Sequence, residues 1–365
     1  MPDRQLFVGV MSGTSADGIN VALVSLEQGQ PRQIAARYVA YSDALRSRIL
    51  ALNSAQPDEL HEASTLAIEL SQEYGKAIAS LLREAGLGRQ DVRAVGCHGQ
   101  TVRHRPDAGY TVQLVNGSLL AEITGVVVVC DFRSRDIAAG GQGAPLVPAF
   151  HQAVFASPGH HRVIVNIGGI ANVTNLPASG PASGFDTGPG NALLDAWAAS
   201  RLGRTQDEGG KWASSGRVID SLLSRLNAHP FFRKKPPKST GRDEFNLAWV
   251  ERNLDIHAVP QDVQATLLAL TAQSIAVAIR AYCEGADEIY LCGGGVHNNA
   301  LMAALRREFG PIPLQLTDAL GVAADWVEAC AFGWLAYKTL RNEPANLPEV
   351  TGAKGPRILG AIYPA

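Results

Sequence analysis

Apolar residues along the chain fall into two kinds of run. Short, Val/Ile-rich blocks predict strands, and longer stretches with a three-to-four-residue period predict helices. Residues 6–11 and 19–26 predict two strands joined by a glycine loop, and 57–85 predict a helix. Strands follow at 92–97, 110–114 and 126–130, then a helix at 145–155. Ser157-Pro158-Gly159 is the clearest linker signal. Beyond it the opening theme returns, with an apolar run at 162–167, Gly168-Gly169, and a short strand at 171–174. Helices are expected at 192–200, 245–253, 263–282 and 322–340, and a strand at 288–292. This alternation predicts an α/β protein. The return of strand, glycine turn, strand predicts a duplicated fold with one phosphate-contacting turn from each half. The expected domains are 1–157 and 158–365, with the last helix packing back toward the cleft between them.

Length and charge sharpen this picture. A chain of 365 residues suits two domains. A net charge of −2 offers no basic field for nucleic acid or an anionic membrane, so the expected partner is a small molecule. Five cysteines, odd in number and without a C-x-x-C pair, read as buried thiols in a reducing compartment. No signal-peptide series opens the chain, and its apolar stretches read as short of a membrane span; a cytoplasmic location is expected. Homodimerisation and the identity of any metal ligands stay open.

Four glycine-rich stretches carry the candidate chemistry. In Gly9-Val10-Met11-Ser12-Gly13-Thr14-Ser15-Ala16-Asp17-Gly18, backbone amides and three hydroxyls make a donor surface for anions. It is not a Walker loop, and a plain hairpin is its bland alternative. Asn166-Ile167-Gly168-Gly169-Ile170-Ala171-Asn172 is the matching turn of the second half. Gly184-Phe185-Asp186-Thr187-Gly188-Pro189-Gly190-Asn191 reads as a turn opening onto a helix, with Asn191 as N-cap and Asp186 as either a backbone cap or a general base. Cys292-Gly293-Gly294-Gly295 ends a strand and suits a flat ring lying on backbone. Glu328 sits on an apolar helix face with Ala324, Ala331 and Phe332, so it needs a polar cavity or a hidden arginine. Cys97-His98-Gly99-Gln100-Thr101 and Asp131-Phe132-Arg133-Ser134-Arg135-Asp136 both follow strands. Their arginines could hold an acidic substrate or pair with Asp131 or Asp136.

Met11 to Gly18, Cys97 to Thr101, the 140–148 stretch, Asn166 to Asn172, Phe185 to Asn191, Lys238-Ser239-Thr240-Gly241-Arg242 and Cys292 to Gly295 closely resemble the anhydro-N-acetylmuramic acid kinases, nearly end to end. The resemblance implies the two-domain actin/hexokinase/Hsp70-like fold with an inter-domain active-site cleft, and ATP and Mg²⁺ as cofactors. It implies attack of water on the anomeric carbon of 1,6-anhydro-N-acetylmuramic acid. The anhydro bridge then opens and O6 takes the γ-phosphoryl, giving N-acetylmuramic acid 6-phosphate within cell-wall recycling. By position, Asp186 becomes the base. Gly13, Thr14, Ser15, Ala16, Asp17, Gly18, Ile19 and Asn20 become the phosphate loop, with Gly168 and Gly169 opposite and Gly293, Gly294 and Gly295 at the adenosine. His98, Arg135 and Glu328 are expected near the sugar. Two departures stand out: Asn20 where relatives are expected to carry an acid, and Ser134 where an arginine is frequent. An amide at position 20 can still accept from a metal-bound water.

Two other functions fit the same residues. An ordinary sugar kinase would phosphorylate a free hydroxyl without hydrolysis, and its product would differ by one water. A non-catalytic nucleotide-dependent binding module finds no separate peptide-binding domain or tail in the chain to support it.

Overall fold

The computed structural model describes residues 5–27, 30–242 and 244–365. They form two compact units, the first from residues up to Val154 together with Trp326–Ala365, the second from Phe155–Asp325. The first unit is built on β1 (Gln5–Ser12), β2 (Gly18–Glu27), β3 (Gln30–Ala40), β4 (Val92–Arg105), β5 (Tyr110–Leu114) and β6 (Val128–Cys130). The sheet order is β6-β4-β1-β2-β3, with the Ala361–Tyr363 strand outside β6 and β5 on the end of β4. β1, β2 and β3 run antiparallel, whereas β1, β4 and β6 run parallel.

β1 is central and buried from Phe7 to Ser12, which is why it reads as a continuous apolar run rather than an alternation. One face of the sheet packs Val8, Val10, Val21 and Leu23 against Leu66, Leu70, Tyr74, Ile78 and Leu81 of the Glu59–Glu84 helix. The Val327–Leu340 helix contacts β1 and β4, and there backbone meets backbone. A Cβ on Gly9 would stand 1.8 Å from the Ala329 carbonyl oxygen, and one on Gly96 2.0 Å from that of Phe332. Gly9 and Gly96 are register partners on β1 and β4, so together they form a flat seat for the helix. Residues 326–365 therefore belong to the first unit, where the sequence had assigned everything after 158 to the second.

The second unit holds β7 (Arg162–Ile167), β8 (Ile170–Leu176), β9 (Ser183–Pro189), β10 (Glu288–Cys292) and β11 (Leu314–Leu316) in the order β11-β10-β7-β8-β9. Its first three strands are antiparallel and β7, β10 and β11 parallel, so its pairing scheme repeats that of the first unit. This duplication is the repeat that the returning strand, glycine turn and strand of the sequence predicted. The Pro260–Tyr282 helix is long and apolar enough by composition to cross a membrane, against the expectation from sequence, but 78% of its apolar window is buried inside the protein. It is the core helix of this unit.

Two elements depart from the pattern reading. β3 and β9 are edge strands. An edge tolerates the polar alternation of β3, and the glycines and terminal Pro189 of β9, which the sequence reads as a turn. Ser157 and His160 form an isolated bridge, so the expected linker is a tight turn just inside the second unit.

Candidate active site

In the first unit, the β1–β2 hairpin carries residues 13–17 at its tip. Ala16 N–H closes the turn on the Gly13 carbonyl at 3.1 Å, and Ala16 takes a positive φ of 54°. The Gln100 carboxamide donates to the Gly13 carbonyl at 3.0 Å. The Ser12 hydroxyl, 1% exposed, accepts from Tyr41 at 2.9 Å and donates to Gln100 Oε1. Ser12 thus holds the loop from beneath and is not part of its outer donor surface, in contrast to the sequence reading. Thr14 is exposed and Ser15 half-buried. Asp17 pairs with Arg46 at 3.0 Å, Ile19 lies in the core, and Asn20 sits opposite Met11 on β2. Gly18 is required sterically, since a Cβ there would lie 2.4 Å from the Val39 carbonyl.

The same unit gathers His98, Arg133 and Glu328. Arg133 donates to His98 Nε2 from Nε at 3.1 Å and lies 2.8 Å from it through Nη2, while its Nη1 donates to the Gly143 carbonyl at 2.7 Å. His98 Nε2 is therefore an acceptor, so the ring proton is on Nδ1. Burial, with the Arg133 charge beside it, holds His98 well below the usual imidazole range and thus neutral. Burial pulls Arg133 down to about 10 against the opposing charges of Glu328 and Asp136. Asp136, fully buried, accepts from Gly143 N–H at 2.8 Å, Asn346 at 2.6 Å and Thr351 at 2.8 Å, fixing the 140–143 loop. Arg135 points outward and is exposed. Of the two arginines in this stretch, the inner one is Arg133, and the sequence offered no reason to separate them.

In the second unit, the Gly168 carbonyl accepts from Asn191 N–H at 2.8 Å, and that of Gly169 from Gly190 at 2.9 Å and Ala192 at 3.1 Å. The carbonyl side of the β7–β8 turn is thereby pinned to the start of the Ala192–Leu202 helix, and its amide side remains as a donor surface. Asn191 is the N-cap residue of that helix, as the sequence reading expected, but its side chain makes no capping bond. The Arg242 guanidinium lies beside Gly169, 3.7 Å from where a Cβ would be. Among Gly293, Gly294 and Gly295, only Gly294 has open space at its Cβ position. Gly293 would strike Asn166 Oδ1 at 2.3 Å and Gly295 the Ile167 side chain at 2.3 Å. Two of the three glycines thus serve packing.

Asp186 lies on β9, not in a turn. The β8–β9 register slips between Ala171 and Asn172, so that Thr187 is an extra residue in the ladder. Such bulges bend a strand and re-aim the side chains beside them. Asp186 N–H donates to the Lys238 carbonyl at 3.0 Å, and Thr240 N–H donates to Asp186 Oδ2 at 2.9 Å. Burial pushes the carboxyl up to about 7, against the opposing pull of the Thr240 amide and the Lys238 charge. A carboxylate with that affinity for protons is suited to general-base work at neutral pH. The sequence reading named Lys238 to Arg242 as a stretch matching the family but gave it no role, so the clamp at 238–240 on Asp186 is what it missed.

Comparison with known proteins adds identity to this geometry. The family model described as anhydro-N-acetylmuramic acid kinase matches residues 5–365. A Nitrosospira multiformis protein named anhydro-N-acetylmuramic acid kinase is 53% identical over 361 residues, covering 98% of this chain and 99% of that protein. A Thiobacillus denitrificans protein of the same name is 52% identical over 367 residues, covering 100% and 98%.

Proposed function

The chain belongs to the anhydro-N-acetylmuramic acid kinase family, and from that premise we infer how its own residues divide the reaction. The enzyme opens 1,6-anhydro-N-acetylmuramic acid hydrolytically and phosphorylates O6, giving N-acetylmuramic acid 6-phosphate for peptidoglycan recycling. Water adds to the anomeric carbon as the C1–O6 bond breaks. O6 then forms the new P–O bond as the terminal phosphoryl leaves its nucleotide, and the water proton passes to Asp186. The observation that carries this assignment is the Asp186 carboxyl, fixed on one oxygen by the Thr240 amide and raised to about 7 by burial.

ATP is the phosphoryl donor in this reading. The second unit suits it: the 168–169 turn offers backbone amides to phosphate, Gly294 offers an open backbone face to the base or ribose, and Arg242 supplies positive charge beside Gly169. The 13–17 turn of the first unit is, taken by itself, a further donor surface for phosphate. Asn166 Oδ1, buried and without a hydrogen-bond partner, fits a donor such as a metal-bound water. Mg²⁺ would neutralise charge on the transferred group, and Asn166 of the second unit would accept from one of its waters. His98, with its tautomer fixed by Arg133, and Glu328 form the sugar-binding group, and the exposed Arg135 is offered to the substrate carboxylate. Five free, buried cysteines suit a cytoplasmic location.

Incubation with Mg-ATP and 1,6-anhydro-N-acetylmuramic acid in ¹⁸O-water, read by mass spectrometry, tests the reading. A 6-phosphate labelled at the anomeric oxygen is expected. An unlabelled phosphorylated product would instead identify an ordinary kinase.

A further inference from the structure

We propose that the strap Lys238–Thr240 is a positioning device for the base Asp186: it selects which carboxylate oxygen reacts and supplies the counter-charge that keeps the base ionised. This rests on the assignment of Asp186 as base.

β9 is an edge strand, so one side of its backbone has no strand partner. The strap takes that place at residue 186. The Lys238 carbonyl accepts the Asp186 N–H, and the Thr240 N–H returns to the side chain at Oδ2. Two bonds from residues two apart in the chain fix both the backbone and the carboxylate rotation. Among the described residues no group bonds Oδ1, which leaves it as the oxygen to take a proton from water.

The strap is anchored in turn at both ends. The Thr240 hydroxyl donates to Glu244 Oε2 at 2.6 Å. The other Glu244 oxygen is 3.9 Å from His229 Nδ1 and 4.0 Å from Lys234 Nζ. Lys238 is 9% exposed, its ammonium 4.5 Å from the Phe231 ring centre and 3.4 Å from the Phe231 carbonyl oxygen. No carboxylate lies within ion-pair distance of it among the described residues, so its charge is available to Asp186. Among the described residues, Lys238 is the charged group that acts on the base, with Lys234, Glu244 and His229 behind it and Arg242 two residues beyond the strap. Asn172, the register partner on β8, is neutral.

The test is the pH profile of kcat/KM for three variants. Lys238→Met is expected to move the acid limb up by about 1 pH unit, as loss of a nearby opposite charge does. Thr240→Val is expected to lower kcat about 10-fold with KM for the sugar little changed, and Thr240→Ser to restore it. An unmoved acid limb in Lys238→Met together with wild-type kcat in Thr240→Val overturns the proposal. If Lys238→Met does not fold, the Val/Ser pair at Thr240 decides alone, since a merely structural role would lower stability and leave kcat per folded enzyme intact. Asp186→Asn separates the two levels. If that variant keeps robust turnover, the base assignment itself fails; if it is inactive while the strap variants behave as wild type, only the strap proposal falls.

Discussion

At the scale of single residues, the proposed base Asp186 is held at a cost in stability. Its carboxyl is raised from the ordinary 3.8 to about 7, so the folded state holds a proton that the unfolded chain has already released. By linkage, its contribution is neutral below about pH 4 and becomes increasingly unfavourable as pH rises to 7, remaining so above. Asp186→Asn should therefore melt at a higher temperature than the wild type at pH 8, with the difference vanishing near pH 4; calorimetry at both values checks this. The same substitution should lower kcat by about 10²–10⁴-fold while nucleotide binding persists, as measured by isothermal titration. In the wild type kcat/KM should climb through pH 7 and level off above it, since only the ionised base works. Asp186 could be singled out in the sequence as a candidate because an acid between glycines is conspicuous. Its clamp was not, because Thr240 lies 54 residues away and reaches it through a backbone amide that any residue would supply. Arg133 and Arg135 were likewise indistinguishable, since only the fold turns one inward.

At the scale of elements, glycines with similar local sequence answer to different demands. Gly9 and Gly96 allow the Val327–Leu340 helix to rest on strand backbone, and no rotamer change can make room for a methyl group there. Gly9→Ala and Gly96→Ala should each cost about 3 kcal/mol or more, seen as a lower denaturation midpoint. Gly294→Ala meets open space, so its midpoint should stay within about 0.5 kcal/mol of wild type while KM for ATP rises severalfold. The central strands β1, β2, β7 and β10 were legible from their unbroken apolar runs. The edge strands β3 and β9 were not: β3 alternates exposed and half-buried positions, and β9, though mostly buried, is written in glycines, an acid and a terminal proline instead of an apolar run.

At the scale of the whole molecule, the repeat was legible only as an echo of strand, turn and strand. The structure extends it to five strands with identical pairing in each unit. The boundary was misplaced at the C-terminal end because an apolar helix does not record which sheet it will cover. A fragment of residues 155–325 should melt cooperatively by circular dichroism, since its sheet and core helix are contiguous in the chain. Residues 1–154 alone should not, and co-expression with 326–365 should restore a cooperative transition.

That division of the first unit between the two ends of the chain has a cost during synthesis. The seat formed by Gly9 and Gly96 leaves the ribosome early, but the helix that covers it is translated after the entire second unit. At ordinary elongation rates the interval is on the order of 10–30 s, during which one face of the sheet formed by β1 to β6 is uncovered. The nascent chain is therefore a natural client for ribosome-associated chaperones, and the order of translation, rather than the strength of the finished fold, sets the period in which it is most prone to aggregate.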